Sequence, residues 1–96
     1  MYKIVVNLTA QEELEAAEFY YFKISEKISD KFIVSVFKTY FMLETNPYFS
    51  IRIKNYHSIS IAKFPYLLFY EIDEENKIIT ILSCFHSSQN PEKYPI

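Results

Sequence analysis

The chain has 96 residues, half of them hydrophobic and 19% aromatic, with a net charge of −2. That suits one small domain, residues 1–96, with its own core and modest stability, and it does not suit a general nucleic-acid binder. Having no glycine and a single cysteine, Cys84, the chain can form no glycine-rich phosphate loop, dinucleotide fingerprint, intrachain disulfide or cysteine metal site, so neither a metal nor a cofactor is expected.

The opening YKIVVNL, residues 2–8, is rich in β-branched residues and predicts a short strand. It lacks the charged start and long apolar run of a signal peptide. No stretch reaches the roughly 18 apolar residues of a membrane span, so a soluble, cytoplasmic protein with no membrane partner is expected. Thr9-Ala10-Gln11-Glu12 has the T-x-x-E form of a capping box, in which the threonine accepts a backbone N–H and the glutamate reaches back. The helix it predicts carries Leu14, Ala17, Tyr21, Ile24 and Ile28 on one face. Glu12, Glu13 and Glu15 suit the positive end of its dipole. Ser29 is read as the cap of a second helix running to about Thr45. On that helix Phe32, Val36, Tyr40 and Leu43 make one stripe, and Ile33, Phe37 and Phe41 make an adjoining one. A helix apolar over such a breadth must bury more than one face or lend one to a partner. Asn46-Pro47 ends it, and the short joint between the helices predicts an αα-hairpin.

After residue 50 the apolar period changes to two. HSISIAK (57–63) alternates, with His57 expected to face water. PYLLFYEI (65–72) is the more continuous run of a central strand. Asp73-Glu74-Glu75-Asn76 predicts a hairpin turn, with Asn76 taking the left-handed conformation that glycine usually supplies. Glu74 and Glu75 are read as solubilising turn residues. KIITILSCF (77–85) is the next strand, with Cys84 a buried, inert thiol. The expected fold is α+β in the order β-α-α-β-β-β, a helical hairpin packed on a mostly antiparallel sheet. Charge is segregated along the chain. Residues 46–70 hold Arg52, Lys54 and Lys63 and no acid, whereas residues 71–75 hold four acids. One basic face is therefore free to meet a phosphate.

This order, with these residues, resembles the RelE/ParE superfamily of type II toxin–antitoxin toxins, in its ParE-like, plasmid-stabilisation branch. The stretch from Ala10 to Tyr21, A-x-x-E-L-x-x-A-x-x-Y-Y, is similar to the family's opening helix. Lys63-Phe64-Pro65-Tyr66, followed by Phe69-Tyr70 and Ile72-Asp73, is similar to its R/K-F-P-Y-x-x-x-Y segment. His86, Asn90-Pro91 and Tyr94 follow its H-x-x-R-x-P-x-x-W ending. Gln89 stands where that ending has arginine, so the fixed positive fork that grips a phosphate is missing.

The resemblance implies a toxin silenced by a cognate antitoxin, with three actions open. ParE-like members block DNA gyrase or an unassigned target. RelE-like members cut messenger RNA on the ribosome without metal. A relic would bind antitoxin and do neither. Cleavage needs a base for the ribose hydroxyl, an acid for the leaving oxygen and positive charge on the phosphate. His86, a side chain suited to either proton role, and Lys63, read as a neighbouring strand end, are the catalytic candidates. Tyr94 joins them as an acid or stacking ring. Arg52, Lys54 and Gln89 are the candidates for holding substrate. For the antitoxin, the candidates are Phe32, Ile33, Val36, Phe37, Tyr40 and Phe41.

Overall fold

The computed structural model describes residues 1–49, 51–53 and 56–88. Their order is β1 (Lys3–Val6), α1 (Leu8–Ile24), α2 (Glu26–Thr45), a 3-10 turn (Pro47–Phe49), β2 (Ile51–Ile53), β3 (Tyr56–Ser60), β4 (Tyr66–Asp73) and β5 (Ile78–His86). The sheet runs β1-β5-β4-β3-β2. β1 lies parallel to β5, and the remaining pairs are antiparallel. The α+β architecture is the expected one, with β2 added. At three residues, β2 is too short to show a period.

Asn7 settles the first boundary. Its N–H donates to Ile81 O at 3.0 Å, closing the parallel ladder. Its Oδ1 accepts from Ala10 N at 2.8 Å, capping α1. The helix therefore begins at Leu8, and the expected cap at Thr9 is corrected: Thr9 and Glu12 lie inside the helix. Starting at Leu8 brings Ala10, Leu14 and Ala17 onto the buried face. Ser25, not Ser29, joins the helices. Its backbone is extended, its N–H donates to Tyr21 O and its Oγ accepts from Ile28 N. One residue thus ends α1 and caps α2. Ser29 is buried one turn further on.

The core lies between the hairpin and one face of the sheet. Ala10, Leu14, Ala17, Phe32, Val36 and Leu43 meet Leu68 and Tyr70 of β4 and Ile79, Ile81 and Cys84 of β5. Tyr70 is fully buried, and its hydroxyl donates to Pro47 O at 2.8 Å. In the β4–β5 ladder the register slips: Phe69 faces Ser83 but Tyr70 faces Ile81, leaving Leu82 as an extra residue. β1 ends opposite Ile81, so another group must serve the β5 backbone beyond it. Glu13 of α1 does so. Its Oε1 accepts from the Cys84 N–H at 3.0 Å and from the Ser83 hydroxyl at 2.8 Å.

The β4–β5 turn differs from expectation in its left-handed residue. Lys77 has φ 55°, and Asn76 instead donates its N–H and side-chain amide to Asp73. Glu74, exposed in that turn, is also held in a small cluster. It accepts from the hydroxyls of Tyr2 and Tyr48 and pairs with Lys77. The Lys77 bond, then those of the tyrosines, holds its carboxyl down at about 2. Among the described residues, no helix is long and apolar enough to cross a membrane.

Candidate functional site

His86 closes β5, paired in register with Tyr66 at the start of β4. Its ring meets Tyr66 edge-on at 5.0 Å. Tyr66 in turn packs on Phe32 at 5.7 Å and Tyr21 at 6.4 Å. An aromatic wall rooted in the core therefore fixes the histidine. On its other side, Ser88 N–H approaches Nδ1 at 3.2 Å and Ser88 Oγ lies 2.6 Å from it. An N–H directed at Nδ1 makes that nitrogen the acceptor, so the neutral ring carries its hydrogen on Nε2. The ring is half-buried.

Lys63 does not end a strand, which corrects the expectation. β3 stops at Ser60, and Lys63 sits in the turn before β4 with φ 70°. A left-handed lysine costs roughly 1–2 kcal/mol relative to the right-handed region. The turn and the end of β5 are joined where Ser87 N donates to Pro65 O at 2.8 Å. The groove that Lys63 lines, about 600 Å³, is shared with Lys27, Lys31, Lys38, Asp30 and Phe64. The three α2 lysines were not singled out in the sequence, although their spacing of four and seven puts them on one helix face. Arg52 stands opposite His57 in the β2–β3 register, described as backbone only. Lys54, Gln89 and Tyr94 lie outside the described residues, as do Asn90 and Pro91.

Two further residues differ in environment. His57 was expected to face water, but it is half-buried and stacked on Tyr70 at 5.4 Å, with Tyr48 edge-on at 6.1 Å. Packing between two tyrosines explains it. Cys84 is buried. Burial, then the neighbouring Glu13 charge, pushes its thiol up to about 12, which leaves it protonated and unreactive at neutral pH.

The second helix divides the stripe predicted for antitoxin. Phe32 is 0% and Val36 5% exposed, both committed to the core, so neither presents a surface to a partner. Ile33 and Tyr40 are half-buried against the core. Phe37 and Phe41 are each 64% exposed. Val34 and Met42, 52% and 45% exposed, complete an outer stripe and were missed. Val34 precedes Phe37 by three residues and Phe41 by seven, and Met42 follows Val34 by eight, so the signal was present. Together with Lys38 these four line an open groove of about 530 Å³. On α1, Phe19, Tyr20 and Phe22 are also more than half exposed. Among the described residues, no group of three or more His, Cys, Asp or Glu is placed to hold a metal ion.

Residues 4–91 match the family described as ParE toxin of type II toxin-antitoxin system, parDE. The chain belongs to this family. No curated protein gives a significant match. Among solved structures, this ParE-family chain is similar to one titled as the chromosomal ParDE toxin–antitoxin system from P. aeruginosa. The TM-score is 0.74 at 14% identity, over 90% of this chain and 96% of that one. It is similar also to the intact E. coli RelBE toxin–antitoxin complex, with TM-score 0.64 at 14% identity, over 93% and 100%. A third is the RelBE2 toxin–antitoxin complex from Mycobacterium tuberculosis, with TM-score 0.57 at 22% identity, over 88% and 96%. Identities this low carry the fold, which both the ParE and RelE structures share with this chain.

Proposed function

We propose that this ParE-family toxin inhibits growth in the cytoplasm by binding its target, DNA gyrase or an unassigned one, and that a cognate antitoxin silences it by covering the outer face of α2. The observation that carries the antitoxin half is the exposed stripe Val34, Phe37, Phe41 and Met42, a contiguous apolar surface of the kind that marks a partner site. An antitoxin tail that is disordered alone would fold on it as a helix. Binding rather than cutting is favoured by the absence of an arginine fork at Gln89.

A second reading keeps messenger cleavage, with His86 as proton donor through Nε2, Lys63 on the phosphate, Tyr94 as a further acid and Arg52 and Lys54 on the RNA backbone. The observation favouring it is the bond from Ser87 to Pro65, which draws the His86 and Lys63 segments to one end of the sheet.

Induced expression in bacteria separates the two. The first reading expects the DNA-damage response, with translation continuing, and unchanged toxicity in His86→Ala. Rapid loss of translation with cut messages, relieved by His86→Ala, would transfer the conclusion to the second. Normal growth on expression of folded protein would leave only the antitoxin-binding half.

A further inference from the structure

We propose that the antitoxin helix covering α2 carries a row of carboxylates along one edge, seated over the lysines on the side of α2 away from α1. This rests on the reading that an antitoxin helix lies on the outer stripe, and adds the charge pattern that sets how the helix is rolled there. The charges of α2 are sorted by sign. At 3.6 residues per turn, Lys27, Lys31 and Lys38 fall within an arc of about 40° around the helix. Glu26, Asp30 and Glu44 fall within a second arc of about 40°. Val34 and Phe41 lie in the gap of about 60° between the two arcs. The exposed apolar stripe is thus bordered by acids on one side and by cations on the other.

Tertiary structure strengthens both borders. On the side toward α1, Glu15 and Glu18 line a groove with Phe37 and Tyr40. On the far side, the turn before β4 brings Lys63 to the three lysines, so four cations line one groove, with Asp30 as its acid. All four are exposed, and none is in an ion pair among the described residues. Gathered like charges raise the local potential, and a row of carboxylates relieves it. The basic groove shares Val34 and Lys38 with the apolar one, so a single helix along α2 reaches both. From Lys27 to Lys38 is about 16 Å of helix axis, or three turns, which matches carboxylates on successive turns of a neighbouring helix. A nucleic acid suits the charge and not the lining. The ring there, Phe64, is engaged edge-on with Tyr21 and Phe32, at 5.1 Å each, and not held out for a base. Among the described residues no arginine lines the groove to fork a phosphate.

Association of the purified chain with its cognate antitoxin, followed by surface plasmon resonance at low and high salt, tests the proposal. Lys31→Glu/Lys38→Glu should slow association by about tenfold or more at low salt, with the difference shrinking at high salt. Asp30→Lys, which removes the acid of the groove, should speed it by about threefold. Lys3→Glu/Lys23→Glu makes the same change in net charge outside the groove and should stay within about threefold of wild type. Circular dichroism confirms that the variants fold. A groove variant no slower than that control overturns the proposal, and so does an Asp30→Lys chain slower than wild type. Phe37→Ser/Phe41→Ser in the same assay separates the two readings. If it binds like wild type, the covering of α2 fails and the charge pattern with it. If it loses binding while Lys31→Glu/Lys38→Glu matches the control, the charge pattern alone fails. A single-stranded RNA of about 20 nucleotides is the further probe. Binding of that RNA lost in Lys31→Glu/Lys38→Glu, with antitoxin association unchanged, would overturn the proposal and give the groove to nucleic acid.

Discussion

The two sides of α2 carry nearly the same amino acids and meet opposite surroundings. Phe32, Val36 and Leu43 are buried against the sheet, while Val34, Phe37, Phe41 and Met42 stand exposed. An apolar residue on this helix thus has one of two uses: inward it stabilises the chain, and outward it awaits a partner. The distinction is set by rotation about the helix axis. The residues Ile33 and Tyr40, on the boundary, are half-buried.

The largest effect expected from this difference is on stability. Phe32→Ala should cost about 3–5 kcal/mol by creating a cavity, read from urea unfolding. The same truncation at Phe37 should change stability by no more than about 0.5 kcal/mol. Equal losses at the two sites would erase the contrast between the faces.

Carboxylates divide in the same way. Glu13 turns inward and serves the Cys84 N–H and Ser83 hydroxyl. Glu13→Ala should therefore cost about 1–3 kcal/mol, the penalty for stranding donors that water reaches poorly. Glu13→Gln keeps an acceptor and should cost less. The exposed Glu12→Ala should be close to neutral.

Glu74 is the outer-rim case, and pH resolves it. Its folded value is held down to about 2, chiefly by Lys77. A depressed carboxyl contributes stability that is present above its unfolded value and lost as pH falls through the folded one. The difference in urea midpoint between wild type and Glu74→Gln should be constant above pH about 5 and shrink toward pH about 2. At the alkaline end, Tyr48 is raised to about 12, first by its hydrogen bond to Glu74. The contribution of its neutral hydroxyl persists below the ordinary tyrosine value and fades as pH rises through about 12. A difference independent of pH would show that the cluster does not couple to folding.

The fold was legible because two periods dominate the chain: three-and-four spacing to residue 45 and alternation after residue 50. What escaped has local causes. Asn7 and Thr9 both offer a capping oxygen, and the choice was made by the end of the β1–β5 ladder, which sequence does not display. β2 is too short to show a period. Lys63 and Lys77 take left-handed turns usually given to glycine or asparagine, for which a lysine carries no signal. Of the candidate site, the breadth of the α2 stripe was legible, but spacing gives the angle between residues and not the rotation of the helix against the sheet. Phe32 and Val36 were therefore grouped with Phe37 and Phe41. The α2 lysines gain meaning only when the Lys63 turn is brought beside them.

The central claim is that outward apolar residues of α2 serve a partner and not the core. Calorimetric titration of the cognate antitoxin into wild type and into Phe37→Ser/Phe41→Ser tests it most directly. The account predicts tight binding with a negative heat-capacity change for the wild type. For the variant it predicts affinity lower by about a hundredfold or more, at an unchanged melting temperature. Equal affinity for both proteins would contradict it, and so would a variant that loses binding only because it has unfolded.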